Sequence, residues 1–261
     1  MSLDILFIHP NASGKIYQDL NKDHSAIEPP IWAGMLANRC RNKKHNVQVL
    51  DCEVLRLDYK RSVNEIVNFN PRIACFVVYG QQPSASSQNM EGAIAISKIL
   101  KKTKPEIKIL FVGGHVAALP TETLEKENSV DIIALNEGAY SISNLLEVEN
   151  LDDYTYLKKV KGIGFRDEEK KIILTNPENI IPKNSLEKDL PGVAWDLLPN
   201  LSSYRTAGWH SWTNNSDKQP FAAFYTSLGC PYKCSFCMIN IINRTNNSQN
   251  ISSKNSNIFR W

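Results

Sequence analysis

Two short runs, Ile73-Ala74-Cys75-Phe76-Val77-Val78 and Ile109-Leu110-Phe111-Val112, are apolar at every position. A strand with one wet face alternates apolar and polar side chains, so unbroken runs predict central strands of a parallel sheet covered by helices on both sides. Five strands are expected, at Asp4 to His9, Val47 to Asp51, Arg72 to Tyr79, Ile107 to Val112 and Asp131 to Leu135. Amphipathic stretches separate them. One opens at Pro29-Pro30, whose fixed φ suits a first turn, and runs through Trp32, Met35 and Leu36. Another spans Ser87 to Lys102, with Ala93, Ile96 and Leu100 on one face, a serine as N-cap and lysines in the last turn. A further helix follows Glu137-Gly138. Right-handed crossovers then lead to a doubly wound α/β domain over residues 1–148, a Rossmann or flavodoxin-like parallel sheet of five strands.

Ligands of such sheets bind beyond the carboxyl ends of the strands. The loops there are His9-Pro10-Asn11-Ala12-Ser13-Gly14, Gly80-Gln81-Gln82-Pro83-Ser84, Gly113-Gly114-His115 through Leu119-Pro120, and Asn136-Glu137-Gly138. Paired glycines let a ligand approach the backbone, but they also serve any tight α/β turn, and Gly113-Gly114 alone does not choose between the two.

From 149 to 220 the alternation stops. Ile163 and Phe165 against Ile172 and Leu174, with Asp167-Glu168-Glu169-Lys170 between them, predict a β-hairpin outside the main sheet. An irregular connector follows, with Pro182, Pro191-Gly192, Leu197-Leu198-Pro199 and three tryptophans, Trp195, Trp209 and Trp212. The expectation is that these aromatics pack across a domain junction; packing onto the nearer domain explains them equally well.

Residues 221–261 open with an apolar, aromatic run of strand type, Phe221-Ala222-Ala223-Phe224-Tyr225-Thr226. It leads into Cys230, Cys234 and Cys237, spaced C-x3-C-x2-C. Three thiolates on one loop can hold three irons of a cubane cluster and leave the fourth open. A zinc site would need a fourth ligand, and the nearest imidazole is His210. A disulfide would strand one thiol. Inert, buried thiols sit poorly with Pro231, Lys233 and Ser235 between them.

This loop, with Phe236 at the aromatic position of C-x3-C-x-aromatic-C, resembles the signature of the radical S-adenosylmethionine (SAM) superfamily. The resemblance implies that Cys230, Cys234 and Cys237 ligate a [4Fe-4S] cluster, that SAM takes the open iron, and that Phe236 lies near its adenine. A second resemblance runs ahead of it. Glu28-Pro29-Pro30-Ile31-Trp32-Ala33-Gly34-Met35-Leu36-Ala37, Val47 to Asp51, Val112-Gly113-Gly114-His115 with Leu119-Pro120, and Asn136-Glu137-Gly138 look like the cobalamin-binding domain of the B12-dependent branch of that superfamily. It implies cobalamin contacts at Gln81, Gly113, Gly114, His115, Glu137 and Gly138. The histidine motif D-x-H-x-x-G of other B12 domains is absent; His9, His24, His45, His115 and His210 all lack its frame, a departure that the radical SAM branch shares.

The implied activity is reductive cleavage of SAM to a 5′-deoxyadenosyl radical, used for radical methyl transfer or a related functionalisation such as oxidative ring closure. An organic substrate and an electron donor such as flavodoxin or ferredoxin are implied as partners. The alternatives are a B12-binding module without radical chemistry and a zinc-stabilised interaction module. Lys+Arg 30 against Asp+Glu 27, a net charge of +3, gives no case for a nucleic-acid partner. No run nears the roughly 18 apolar residues of a membrane span, and the start lacks a signal peptide, so a cytoplasmic protein is expected. Cys40, Cys52 and Cys75 carry no ligand spacing and are expected to pack as apolar residues. Only 24 residues follow Cys237, whereas a (β/α)8 barrel needs about 200 or more, so the expectation is a truncated barrel in a fragment of a longer enzyme, inactive by itself.

Overall fold

A computed structural model describes residues 3–12, 25–79, 87–205, 220–223, 225, 227–228 and 257–258. Its centre is one sheet in the order β2-β1-β3-β4-β5-β6-β7. The strands are β1 (Leu3–His9), β2 (Val47–Asp51), β3 (Pro71–Val77), β4 (Lys108–Val112), β5 (Ile132–Ala134), β6 (Ile163–Arg166) and β7 (Ile172–Leu174). The first five pair in parallel, in the expected flavodoxin-like order.

Period-two alternation divides their side chains between two cores. Ile5, Phe7, Ile73, Cys75, Val77, Leu110 and Val112 face one side, with α1 (Ile31–Asn42) and α6 (Ala139–Leu146). Leu6, Ile8, Ala74, Phe76, Ile109 and Phe111 face the other, with α2 (Tyr59–Phe69) and α3 (Met90–Thr103). Both faces are therefore dry, which is why the strands read as continuous apolar runs. Each buried Phe, Leu or Ile contributes roughly 1.5–3 kcal/mol. Cys40, Cys52 and Cys75 are buried and free, and burial pushes the thiols of Cys40 and Cys52 up to about 12.

Local chemistry explains where the helices start. Pro30 stands at the N-cap of α1, one residue earlier than a first-turn proline would, and its carbonyl accepts from the Gly34 amide at 3.0 Å. The serine cap expected for α3 is not made. Residues 87–89 form a 3-10 turn, Asn89 is the N-cap, and its side-chain amide donates to the Tyr79 carbonyl instead. Helix α2 was not singled out in the sequence, although Asp58 caps it by accepting from the Arg61 amide at 2.8 Å. Two short helices, α4 (Gly114–Ala118) and α5 (Pro120–Lys126), follow β4.

The hairpin forms where expected but belongs to the main sheet, not outside it: β6 pairs antiparallel with β5, and β7 with β6. Ile163 and Phe165 are buried in the α1/α6 core, which a detached hairpin could not supply, and the pairing covers the open edge of β5. At Gly164 a Cβ would meet Leu174 Cδ2 at 2.8 Å and Ile133 Cγ1 at 3.0 Å, so a larger residue there would push the Leu174 and Ile133 side chains aside.

The connector is bolted to the domain by polar contacts. Arg39, 5% exposed, donates to Ala139 O at 2.8 Å, to Ser143 Oγ at 2.9 Å and to Asp189 O at 2.5 Å. Tyr140 donates to Asp189 Oδ2 at 2.7 Å, Asn38 to Gly192 O at 3.1 Å, and the Ala194 amide to Gly34 O at 3.1 Å. Trp195, at 36% exposure, is a surface residue; Trp209 and Trp212 lie outside the described residues. The strand expected over 221–226 is not formed at Phe221, Ala222, Ala223 or Tyr225, and a two-residue strand, Ser227–Leu228, follows instead. Pro220, just ahead of that run, bridges back to Arg205.

Candidate functional site

The carboxyl ends of β1 to β5 gather three groups of side chains. The first is aromatic. Tyr79, two residues beyond β3, lies 5.3 Å from Trp32 of α1, centroid to centroid, and Trp32 meets Tyr225 edge-on at 6.2 Å. The Trp32 indole N–H donates to Glu137 O at 3.1 Å, which fixes the ring. The Tyr79 hydroxyl is buried with no hydrogen-bond partner among the described residues, and burial, followed by Tyr225 and Glu137, holds its pKa well above the ordinary phenol range. An orphaned hydroxyl of this kind costs about 1–3 kcal/mol.

The second group is the pair of loops after β4 and β5. At Gly113 φ is +154°, and a Cβ there would stand 2.3 Å from the Val78 carbonyl oxygen. Gly114 is the first residue of α4, and His115 Nδ1 lies 2.8 Å from Ser87 Oγ. Burial lowers the His115 pKa, against a smaller opposing pull from Glu122. Gly138 has φ +82°, and its amide donates to Asn136 Oδ1 at 3.0 Å. Glu137 turns its carboxyl inward, where Oε1 accepts from the Ile181 amide at 2.7 Å, and burial pushes its pKa up to about 7.

The third group is acidic. Asp51, the last residue of β2, is 1% exposed. Its Oδ1 accepts from the amides of Glu53 at 3.1 Å and Val54 at 3.2 Å, and its Oδ2 accepts from the Tyr204 hydroxyl at 3.0 Å. Beside it His9 Nε2 pairs with Glu53 Oε2 at 3.1 Å. Burial disfavours the His9 imidazolium, yet Asp51 and Glu53 together outweigh it and raise the pKa. Burial likewise raises that of Asp51, against the pull of His9. Among the described residues no three His, Cys, Asp or Glu side chains stand together as a metal site. A cleft of about 320 Å³ with Lys108, Asp131, Tyr154 and Arg166 in its walls lies at the amino ends of β4 and β5, away from all three groups.

Of the residues singled out in the sequence, Gly113, Gly114, His115, Glu137 and Gly138 stand together at this edge. Gln81, Phe236, Cys230, Cys234 and Cys237 lie outside the described residues. Sequence reasoning missed Tyr79, Tyr204 and Asp51 as site residues. Their signal is a polar or aromatic residue at or just beyond the end of an apolar strand for Asp51 and Tyr79, and an aromatic of the connector for Tyr204.

Residues 22–146 match the family model described as the B12 binding domain. Over this stretch the chain is similar to the B12-binding domain family. An uncharacterized methyltransferase of Pyrococcus horikoshii is 26% identical over 209 residues, which cover 80% of this chain and 40% of that protein. The cobalamin-dependent radical SAM methyltransferase TokK of Streptomyces tokunonensis is 24% identical over 149 residues, covering 57% of this chain and 20% of its own length. The chain thus spans well under half of the curated relatives it matches, and it is related to cobalamin-dependent radical SAM proteins. Among solved structures, the cobalamin-dependent SAM radical enzyme OxsB, with aqua-cobalamin and SAM bound, shares the fold. The TM-score is 0.61 at 18% identity, over 90% of this chain and 28% of that one.

The residues of the B12-binding domain fit a large conjugated ligand bearing amides. Aromatic faces at Trp32, Tyr79 and Tyr225 line its carboxyl edge, and the buried Tyr79 hydroxyl has a hydrogen bond to give. No helix among the described residues is long and apolar enough to cross a membrane.

Proposed function

We propose that the B12-binding domain holds cobalamin at the carboxyl edge of its sheet. In this reading Cys230, Cys234 and Cys237 bind a [4Fe-4S] cluster with SAM at its open iron, and the protein serves radical methyl transfer to carbon. The observation that carries it is the contact of Tyr225, five residues before the first cysteine, with Trp32 of the B12-binding domain. That contact ties the lead-in of the cysteine loop to the edge where a corrinoid would bind.

When bound, the cluster supplies the electron that cleaves SAM to methionine and a 5′-deoxyadenosyl radical, and cobalamin supplies the methyl group. The chain's own residues bind and orient. Gly114 and His115 present the start of α4, and Gly113, Glu137 and Gly138 hold the loops on either side in shape. Gln81 is proposed to line the same edge, and Phe236 to pack on the SAM adenine. Trp32, Tyr79 and Tyr225 keep water from one side of the site. Electrons come from an outside donor such as flavodoxin or ferredoxin, in the cytoplasm.

The test is anaerobic titration of the chain with hydroxocobalamin, followed by absorbance, for the wild type and Cys234→Ala. Both should bind about one cobalamin, while the variant loses its iron. A wild type that binds cobalamin and no iron would reduce the protein to a B12-binding module, and one that binds zinc alone would remove both cofactors.

A further inference from the structure

The Asp51–Tyr204 pair joins positions 153 residues apart, and its surroundings give it a task beyond filling the core. Tyr204 is 0% exposed, and its hydroxyl takes Oδ2 of Asp51, the oxygen that the turn amides of Glu53 and Val54 leave open. The backbone next to it is a crossing point. Arg205 exchanges two hydrogen bonds with Ile27, both at 2.9 Å, and bridges on its other side to Pro220, while the Phe221 amide donates to Tyr204 O at 3.2 Å. Ile27 stands just ahead of Pro29-Pro30 and α1, which carries Trp32; Pro220 and Phe221 stand just ahead of Tyr225 and the cysteines. One dipeptide therefore holds both arms that end in the Trp32–Tyr225 contact.

We infer that Asp51 and Tyr204 are positioning residues: their hydrogen bond latches Pro220 and Phe221, and with them the approach through Tyr225 that leads in sequence to the cysteines, to the carboxyl edge of the B12-binding domain. The effect on catalysis rests on the function proposed above; the latch does not. In radical methyl transfer the two cofactors must meet one substrate carbon, and a misplacement of about 1 Å costs on the order of 100-fold in rate. A latch anchored in a buried carboxyl group suits that demand, because two turn amides already hold Asp51 in place for the Tyr204 hydroxyl.

Tyr204→Phe removes the hydroxyl and keeps the ring. Amide hydrogen exchange on the full chain reads the latch without any cofactor. The variant should exchange at Arg205 and Phe221 about tenfold faster or more, with the amides of Phe7 and Phe76 in the sheet unchanged. Unchanged rates at Arg205 and Phe221, or sheet amides accelerated to the same degree, would overturn the latch. Paramagnetic resonance on the reconstituted protein reads the consequence: equal cob(II)alamin and cluster spins in both proteins, but a weaker spin–spin interaction in Tyr204→Phe. An interaction identical in the two proteins would overturn the positioning role. A wild type without cluster signal, but with the expected exchange pattern, would remove the proposed function and leave the latch in place.

Discussion

The Glu137 carboxyl, 2% exposed, accepts a hydrogen bond from the Ile181 amide at 2.7 Å and thereby ties the connector to the loop after β5. Burial holds its pKa at about 7, against 4.5 for an ordinary glutamate. The folded chain therefore keeps a proton that the unfolded chain gives up, and the associated stability is complete below pH 4.5 and lost as pH rises through about 7. That span corresponds to on the order of 3 kcal/mol. Urea unfolding from pH 4.5 to 8 should show the decline, and Glu137→Gln, which keeps an acceptor for Ile181 but cannot titrate, should flatten it. Equal slopes in the two proteins would assign the pH dependence elsewhere.

Gly113 is where the loop after β4 is least replaceable. An alanine methyl would sit 2.3 Å from the Val78 carbonyl oxygen, on a backbone with φ +154°. Gly113→Ala should lose about 3 kcal/mol in urea unfolding with cobalamin absent. A loss under about 1 kcal/mol would mean that the backbone relaxes freely there.

Arg39 is the rivet of the connector. Its guanidinium satisfies Ala139 O, Ser143 Oγ and Asp189, and it lies 4.5 Å from the Tyr140 ring centroid. Arg39→Ala should cost about 3–5 kcal/mol, because it removes the buried cation that donates to Ala139 O, Ser143 Oγ and the Asp189 main-chain carbonyl at once and leaves the Asp189 carboxylate without its cationic partner. Limited proteolysis should then cut near residues 186–190 before the sheet is attacked. Cleavage unchanged from the wild type would show that the connector holds without Arg39.

Tyr79→Phe separates folding from binding. Its hydroxyl has no partner among the described residues, so its removal should leave the stability of the cobalamin-free chain unchanged or raise it by about 1 kcal/mol. The same change should weaken cobalamin binding about five- to tenfold in a spectrophotometric titration. Lower stability with unaltered affinity would assign the hydroxyl a structural partner instead.

The parallel sheet was legible because strands such as Ile73–Val78 are dry on both faces and say so in every residue. The hairpin's place was not, since Ile163 and Phe165 announce a buried face without naming the strand that they pair with. Helix α2 hid in a polar stretch where only Ser62, Val63 and Ile66 are buried. At the site, the glycines after β4 were readable as a special turn, but what Gly113 avoids is the Val78 carbonyl, a contact made only when β3 and β4 pair. The tryptophans of the connector drew attention that belonged to Arg39. Trp195 is on the surface, and the cohesion comes from side-chain to backbone bonds that composition does not reveal.

Anaerobic reconstitution of the chain with iron, sulfide and hydroxocobalamin tests the central claim most directly. Metal and sulfide assay would be followed by electron paramagnetic resonance of the dithionite-reduced protein with and without SAM. The account predicts about four irons and one cobalt per chain, with a cluster signal that SAM perturbs. Zinc in place of iron, or a cluster signal indifferent to SAM in a chain that holds no cobalt, would contradict it.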